Sequence, residues 1–390
     1  MDVKQIYENV NEIQKEVLGK TELVLNEDLS NLIDIGDAIF NANAYEKYVN
    51  KLINRIGKTR FMAHKYNGSA PSILMDAWEY GSIMMKVSMG LFEAKENESW
   101  TPEDGHSYDQ NIFYAPKGIV TKFFNKKTTF EVDCSFTEKQ IKQSFTSAEE
   151  MNAFLSMIEM SIDNTLTVAF DELIMRTINN LVAETVFDDY QSGGTLGDIT
   201  ASSGVKAVNL LYEYNQLFNK SLTAIQAMYD PEFIRFASAE IMKRVSYLKK
   251  MTVLFNVGGQ PKFTPKDRLH LVMLESFRSN ANVYLQSDTF HDEFTELPKA
   301  ESVAFWQGSG KKFAFGDVSK ITVKTASGKD VTVSGVLCTL FDTYAAAVTN
   351  YDKRVKSHVN NKAEFYSNFY KEDANYMNDL NENCIVFFIA

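Results

Sequence analysis

Apolar residues recur every three or four positions between Ser147 and Phe187, in a stretch that contains neither glycine nor proline. This spacing places them along one side of an α-helix. At a rise of about 1.5 Å per residue, the helix would be roughly 60 Å long. Ser147 and Glu150 have the spacing of a capping box, which predicts the start of the helix. A helix of this length is unusual in a compact enzyme and indicates an elongated protein.

A pattern of period two precedes this helix. From Thr128 to Thr137, apolar side chains alternate with polar ones, which predicts a strand with one buried face. Ser82–Phe92 is also predicted to be a strand. The residues between them, Glu93–Asn111, are polar and charged and show no apolar periodicity. The predicted order is therefore strand, long polar excursion, strand and long helix.

The chain outside this region is predicted to be a helical arm at the N-terminus and a mixed α/β part after the long helix. Gln191–Gly204 is rich in glycine and serine and is predicted to be a linker. A helix is predicted at Lys206–Asn219, and another from Pro231, with Asp230 as its cap, to about Lys250. Strands are predicted at Arg268–Leu274, at Ser302–Trp306, on both sides of Ser327–Lys329 as a hairpin, and at Cys384–Ile389.

Composition excludes several classes of protein. Charged residues make up 23% and hydrophobic residues 45% of the chain, which is typical of a soluble globular protein. No apolar run approaches the ~20 residues of a membrane helix, and the N-terminus does not resemble a signal peptide. The net charge of −11 argues against tight binding to nucleic acid. Cys134, Cys338 and Cys384 are predicted to be free thiols.

Motifs that carry chemistry are not found in this sequence. Gly310 and Lys311 resemble the end of a phosphate-binding loop, but Phe305 stands where its first glycine belongs. The five histidines are not at metal-ligand spacing. We therefore predict no catalytic, metal-binding or cofactor-binding residues, no cofactor, and a protein that is not an enzyme. Four acidic residues near the C-terminus lack the spacing of a calcium loop and are predicted to form a charged surface turn: Glu372, Asp373, Asp379 and Glu382.

Four segments carry a resemblance to a known family. They are residues 92–145, 147–182, 265–294 and 344–390, which together give an extended excursion, a long helix, a strand followed by a helix, and closing strands. In order and pattern they resemble the major capsid proteins of tailed bacteriophages, which share the Hong Kong 97 fold. The sequence is most similar to those of small short-tailed phages of the salasvirus and picovirus kind.

The resemblance implies an α+β fold with named parts. Residues 1–60 would form the N-terminal arm, 61–92 part of the peripheral domain (P-domain), and 93–136 the extended E-loop. The P-domain would continue through 137–204 and contain a spine helix at 147–187. Residues 205–334 would form the axial domain (A-domain), and 335–390 the return strands of both domains.

The resemblance also implies a function and partners. Many copies would assemble as pentamers and hexamers into an icosahedral or prolate shell that encloses the double-stranded DNA genome. In the family the E-loop lies over a neighbouring subunit, so its aromatic residues are candidates for that contact: Tyr108, Phe113, Tyr114, Phe123 and Phe124. The other expected partners are a separate scaffolding protein, a portal protein and, through weak sequence-independent contact, the packaged DNA. We expect no membrane partner, no maturation cleavage and no covalent crosslinks.

The protein would be part of the virion and would assemble in the cytoplasm of the bacterial host. Three alternatives remain open from the sequence. The first is the shell protein of an encapsulin-type nanocompartment, which has the same fold and a cargo enzyme instead of DNA. The second is a soluble α/β enzyme whose active site is assembled only by the fold. The third is another virion protein, such as a portal or tail component.

Overall fold

A computed structural model describes residues 64–75, 83–92, 94, 104–105, 118–137, 148–286, 300–306, 314–325, 328–360, 362–363 and 365–390. The predicted N-terminal arm, residues 1–60, lies outside these residues. So do Ser147 of the predicted capping box and most of the polar excursion.

The described helices and strands follow the order that the sequence predicts around the long helix. The strands are β1 (Leu74–Met75), β2 (Met84–Met89), β3 (Ile119–Phe124), β4 (Lys127–Thr137), β5 (Gln191–Ser192), β6 (Thr195–Leu196), β7 (Ala207–Asn209), β8 (Leu269–Leu274), β9 (Glu301–Val303), β10 (Ile321–Lys324), β11 (Asp330–Val333), β12 (Val336–Asp342), β13 (Ala346–Asn360), β14 (Phe365–Asn378) and β15 (Cys384–Phe388). The helices are α1 (Ala148–Tyr190), α2 (Leu210–Phe218), α3 (Ala224–Ala227), α4 (Pro231–Leu248), α5 (Glu275–Gln286) and α6 (Phe315–Val318).

The long helix α1 contains 43 residues, which confirms the main prediction from apolar periodicity. In its second half the apolar stripe widens, because the consecutive residues Leu181, Val182 and Ala183 are all buried. Two buried threonines there are satisfied by the helix itself. Thr177 Oγ1 donates to the carbonyl of Leu173, and Thr185 Oγ1 donates to that of Leu181, both at 2.8 Å. This half of α1 therefore belongs to the core.

A five-stranded sheet in the order β7-β15-β12-β8-β9 lies at the centre of the main core. β15 and β8 are antiparallel to β12, whereas β7 is parallel to β15 and β9 is parallel to β8. Every residue of β12 and of β15 is buried. Strands buried on both faces lose the alternation of a half-buried strand, which is why both are almost continuously apolar.

The remaining strands form smaller sheets. One has four strands in the order β1-β13-β14-β4, and the pairs β2-β3, β5-β6 and β10-β11 form separate two-stranded sheets. The pairing of Ile321 with Val333 and of Val323 with Val331 confirms the predicted hairpin. Gly328 lies in its turn with a φ of +79°, a conformation that side chains disfavour.

The region after α1 differs from its prediction in two ways. The predicted helix at Lys206–Asn219 is wrong at its start, because Ala207–Asn209 pairs with β15 as β7, and Asn209 then caps α2. The predicted linker at Gln191–Gly204 is held in place by hydrogen bonds. The Tyr190 hydroxyl donates to the carbonyls of Ser202 and Ala207, and it accepts from the Gly204 amide. The first difference comes from pairing with a distant strand and the second from hydrogen bonds to a side chain at the end of α1. Local periodicity shows neither.

The chain divides into two compact units, one made of residues 1–65, 135–163 and 358–367, and the other of residues 66–134, 164–357 and 368–390. In the first unit, the Ser135 and Ser367 hydroxyls form a hydrogen bond of 2.9 Å. The second unit contains the five-stranded sheet. None of the helices that the structure describes could span a membrane. The three cysteines are free, as predicted, and burial raises the pKa of Cys384 to about 11.

Two of the glycines with left-handed backbones, Gly335 and Gly328, allow a matched test of packing next to β12. In Gly335→Ala, the added methyl group would overlap the carbonyl oxygen of Ile389, at a φ of +75°. In Gly328→Ala, no atom lies within 4 Å of the added group. We expect the first change to lower the free energy of unfolding by at least ~3 kcal/mol and the second by about 1–2 kcal/mol. Urea denaturation measures both, and equal losses would contradict the close contact.

Candidate assembly interface

Strands β2 and β3 form a two-stranded antiparallel ribbon, and we call this pair the ribbon. Met84 pairs with Phe124, and the register continues to Met89 opposite Ile119. Since side chains alternate along a strand and paired residues share a face, the ribbon has two distinct faces. The outer face carries Met85, Val87, Met89, Ile119, Thr121 and Phe123. The inner face carries Met84, Lys86, Ser88, Val120, Lys122 and Phe124.

The outer face is apolar and open to solvent. Its five apolar residues are between 56% and 64% exposed, and Leu91 and Phe92 extend the exposed apolar surface beyond β2. Contiguous exposed apolar patches are uncommon on monomeric proteins and mark sites of interaction. The ribbon therefore presents a surface suited to contact with another protein.

The inner face is held by ion pairs. Lys86 Nζ lies 2.6 Å from Asp379 Oδ2 and 2.6 Å from Glu382 Oε1. Lys122 Nζ lies 2.9 Å from Asp379 Oδ1, and Lys262 Nζ lies 3.1 Å from Glu382 Oε1. We call these three lysines and two carboxylates the anchor cluster.

The anchor cluster corrects one prediction. Glu372, Asp379 and Glu382 were expected on a charged surface turn, but all three are buried. Burying a carboxylate is unfavourable unless the charge is paired. For Asp379 and Glu382, the partners come from lysines more than a hundred residues earlier in the chain, so local spacing gave no sign of them.

Backbone contacts fix the turn that carries these carboxylates. The Asp379 amide donates to the carbonyl of Ala345 at 2.8 Å, and the Asp379 side chain accepts from the Asn381 amide at 3.1 Å. Burial alone would raise the pKa of Asp379. Hydrogen bonds from Lys86 and Lys122, together with their charges, outweigh burial and hold this pKa below its ordinary value. Asp379 is therefore ionised at neutral pH.

Further charged and aromatic groups surround the anchor cluster. Asp342 accepts from Thr264 Oγ1 at 2.9 Å and from the Tyr344 amide at 3.0 Å. Burial raises the pKa of Asp342 despite these hydrogen bonds. The Tyr344 ring has Lys86 Nζ 5.6 Å from its centroid and the Arg268 guanidinium at 5.1 Å. Cations at these distances are attracted by the ring.

The structure places two of the five predicted interface aromatics. Phe123 is on the outer face and exposed, while Phe124 is on the inner face and partly buried. Tyr108, Phe113 and Tyr114 lie outside the described residues. The prediction considered aromatic residues alone and so did not include Met85, Val87, Met89 and Ile119, which share the exposed outer face with Phe123. The alternation of these residues with Lys86 and Ser88 is the sequence signal that could have identified them.

A cavity of about 650 Å³ lies beside α1, with Arg176, Asn179 and Lys324 among its lining residues. Across the ranges that the structure describes, no group of three or more histidine, cysteine or acidic side chains could hold a metal ion.

The family model described as Phi29-like phage major capsid protein matches residues 10–388 of the chain. The chain belongs to this family. The capsid structure of Staphylococcus phage Andhra contains a similar chain, with 8% identity, a TM-score of 0.51, and coverage of 86% of this chain and 87% of that one. No curated protein sequence matches the chain.

A chain in the structure of the head fibre and inner core protein gp22 of native bacteriophage P68 has the same identity and a TM-score of 0.55. There the match covers 86% of this chain and 88% of the other. At such low identity these two likenesses show the fold alone. They confirm the α+β fold of the Hong Kong 97 kind that the resemblance implied for this capsid protein.

The family match confirms the prediction of a phage major capsid protein. The capsid protein is a structural component of the virion that forms the shell, and it is not an enzyme. The ribbon and its anchor cluster are thus features of a protein that binds copies of itself.

The lowered pKa of Asp379 predicts a pH dependence. A carboxyl group with a lowered pKa stabilises the fold above its ordinary pKa of 3.8, and this contribution is lost as pH falls through the lower value. We expect the capsid protein to lose stability below pH 3.8 more steeply than its Asp379→Asn variant. At neutral pH, the variant should be less stable by about 3 kcal/mol, because the change unbalances buried charges. Urea midpoints between pH 2.5 and 7 test this, and parallel pH profiles would contradict it.

Proposed function

We propose that this capsid protein assembles as pentamers and hexamers into an icosahedral or prolate shell around double-stranded DNA, and that the ribbon binds a neighbouring subunit. The observation that carries the second part is the difference between the two faces of the ribbon. The inner face is bound to buried carboxylates of the same chain, while the outer face is apolar and exposed.

The chemistry of the outer face favours a protein partner over DNA. Its side chains are methionine, valine, isoleucine, threonine and phenylalanine, with no cation to neutralise a phosphate. Fully burying an apolar side chain of this size contributes about 1.5–3 kcal/mol before entropy is counted. A heterologous contact repeated around a rotation axis closes into a ring, so one modest contact is multiplied in each capsomer.

The ribbon also supports our assignment of the E-loop. The proposed E-loop at 93–136 contains β3, and its partner strand β2 precedes it. We therefore extend the proposed E-loop back to Met84. We propose α1 as the spine helix of the P-domain and residues 205–334 as the A-domain. We further propose that, among phage major capsid proteins, this chain is most similar to those of small short-tailed phages of the salasvirus and picovirus kind.

The remaining partners follow from what a shell requires. We propose a separate scaffolding protein, a portal protein at one vertex, and assembly in the host cytoplasm. The net charge of −11 supports only weak, sequence-independent contact between the shell and its packaged DNA.

The shell itself is tested by expressing the protein and examining the rapidly sedimenting fraction by negative-stain electron microscopy. We expect closed shells or sheets of hexagonal rings. A single ring species of fixed copy number, formed also when a scaffolding protein is co-expressed, would contradict this function.

The ribbon contact is tested by the triple variant Met85→Ser, Val87→Ser and Phe123→Ser. We expect a folded monomer that assembles at least about tenfold less well, because three buried apolar contacts are lost. Thr121→Ser, a conservative change on the same face, should assemble normally. Sedimentation measures assembly and circular dichroism measures folding. Normal assembly of the triple variant would show that the outer face is not a subunit contact.

A deletion tests the polar part of the excursion. Removing residues 95–111 should leave a folded protein that assembles poorly, since this segment lacks the pattern of a core element. Thermal unfolding and sedimentation separate the two effects. If the shortened chain is unfolded, the segment belongs to the core and its assignment to the E-loop is wrong.

A further inference from the structure

The ribbon has only two strands, and a two-stranded sheet has little stability or fixed orientation of its own. Something else must decide which of its faces points outward. Among the described residues, the hydrogen bonds that join side chains of the ribbon to the rest of the chain come from Lys86 and Lys122. Both lysines are on the inner face, and both reach carboxylates on the turn before β15.

We infer that the anchor cluster of Lys86, Lys122, Lys262, Asp379 and Glu382 is a positioning device. It fixes the ribbon on its own subunit with the outer face free before any neighbour binds, and acid releases it. The orientation is a property of the single chain. Only its consequence for assembly rests on the proposed function of the ribbon.

Burial makes these ion pairs stronger than ordinary surface pairs. The side chains of Asp379 and Glu382 are 2% and 7% exposed, and that of Lys86 is 17% exposed. Exposed pairs of this kind contribute little, because water and salt screen them. Removing the ribbon lysines would leave two buried carboxylates with, among the described residues, a single lysine partner, Lys262, which pairs with Glu382. Such a loss is strongly unfavourable.

The arrangement also selects one face. Lys86 and Lys122 are paired directly across the ribbon, so their side chains leave it on the same side. Turning the ribbon over would move both ammonium groups away from the carboxylates. It would also place Met85, Val87 and Phe123 against a charged site. The cluster therefore discriminates between the two orientations.

Acid release follows from the groups around the cluster. The facing charged and titratable groups are the three lysines, Asp379, Glu382, Asp342, Arg268 and Tyr344. Asp342 takes up a proton at a higher pH than usual, which removes both its repulsion of Glu382 and its attraction for Lys86. Its hydrogen bonds are to Thr264 and Tyr344, which are outside the ribbon. Release therefore requires protonation of Asp379, which is expected below pH 3.8.

The inference is tested by the distance between two spin labels measured by pulsed electron resonance. One label is placed at Thr121→Cys on the outer face and one at Lys250→Cys, an exposed residue just after the end of α4, with Cys134→Ser to prevent additional labelling. We expect one narrow distance distribution in the otherwise unchanged protein. In the double variant Lys86→Met and Lys122→Met, the distance distribution should be roughly twofold broader, because the ribbon is no longer held by the carboxylates and can change its orientation.

Two matched variants separate positioning from general stability. Lys86→Arg with Lys122→Arg keeps both charges and should restore the narrow distribution. Lys243→Met removes the 2.7 Å pair with Glu240 on α4, far from the ribbon in sequence, and should leave the distribution unchanged. A narrow distribution in the double methionine variant would overturn the inference and assign the orientation to apolar contacts of Met84, Val120 and Phe124.

The double methionine variant could also fail to fold, which circular dichroism would reveal. In that case the labelled protein with its lysines intact is titrated with acid. The distribution should broaden below pH 3.8 while the helical signal persists. A distribution that stays narrow until the helices melt would overturn the inference.

Assembly provides the last readout. If the proposed function is right, the double methionine variant should need roughly tenfold more protein to form shells, and the arginine variant should assemble normally. A freely moving ribbon together with unchanged assembly would overturn the role of the cluster in assembly. If no variant and no unchanged protein forms shells, the proposed function fails, and the distance measurement still decides whether the cluster positions the ribbon.

Discussion

The pairing of β15 with β7 on one side and β12 on the other is the contact on which the rest of the second unit depends. It makes Ala207–Asn209 a strand, and so it sets where α2 can begin. Next to this pairing, three backbone hydrogen bonds fix the turn between β14 and β15: from the Asp342 amide at the end of β12 to Asn383, from the Cys384 amide to Phe255, and from the Asp379 amide to Ala345. The carboxylates of the anchor cluster are on that turn. The strand β15 at the apolar centre of the sheet and the carboxylates that bind the ribbon are therefore connected through the same turn.

Apolar and charged contacts have different tasks in this capsid protein. Burial of apolar side chains in the core holds α1 and the sheet together. Apolar contacts tolerate small changes in orientation, whereas an ion pair requires a defined one. The ribbon has no core of its own and is held by ion pairs with defined directions. Apolar surface is then left where a neighbouring subunit can cover it. This division explains why a shell protein carries buried carboxylates at a place that has no catalytic role.

Local patterns predicted much of the fold, and distant pairing explains most of the rest. The 3.6-residue period of α1, the Asp230–Pro231 start of α4 and the hairpin around Gly328 depend on neighbours in sequence, and the structure confirms them. The helix proposed at Lys206 and the surface turn proposed at Asp379 failed because β15 and Lys86 lie far away in sequence. For the ribbon, the strand predicted at Ser82–Phe92 is confirmed as β2, whereas β3 was not predicted. The prediction did not show which face would be outward, since that depends on the carboxylates.

The large sequence separation within the central sheet has a consequence for the order of events in a cell. Most of the A-domain candidate and most of the return strands lie between β7 and β15 in sequence, and contacts between such distant segments form slowly. The turn that holds the ribbon can take shape only once β15 has joined the sheet. In a partly folded chain the ribbon therefore has no fixed orientation. A chain whose ribbon is bound to the carboxylates has already formed its core. Under the proposed function of the ribbon, folding would act as a quality check, because subunits would gain the ability to recognise one another only after their interiors are finished.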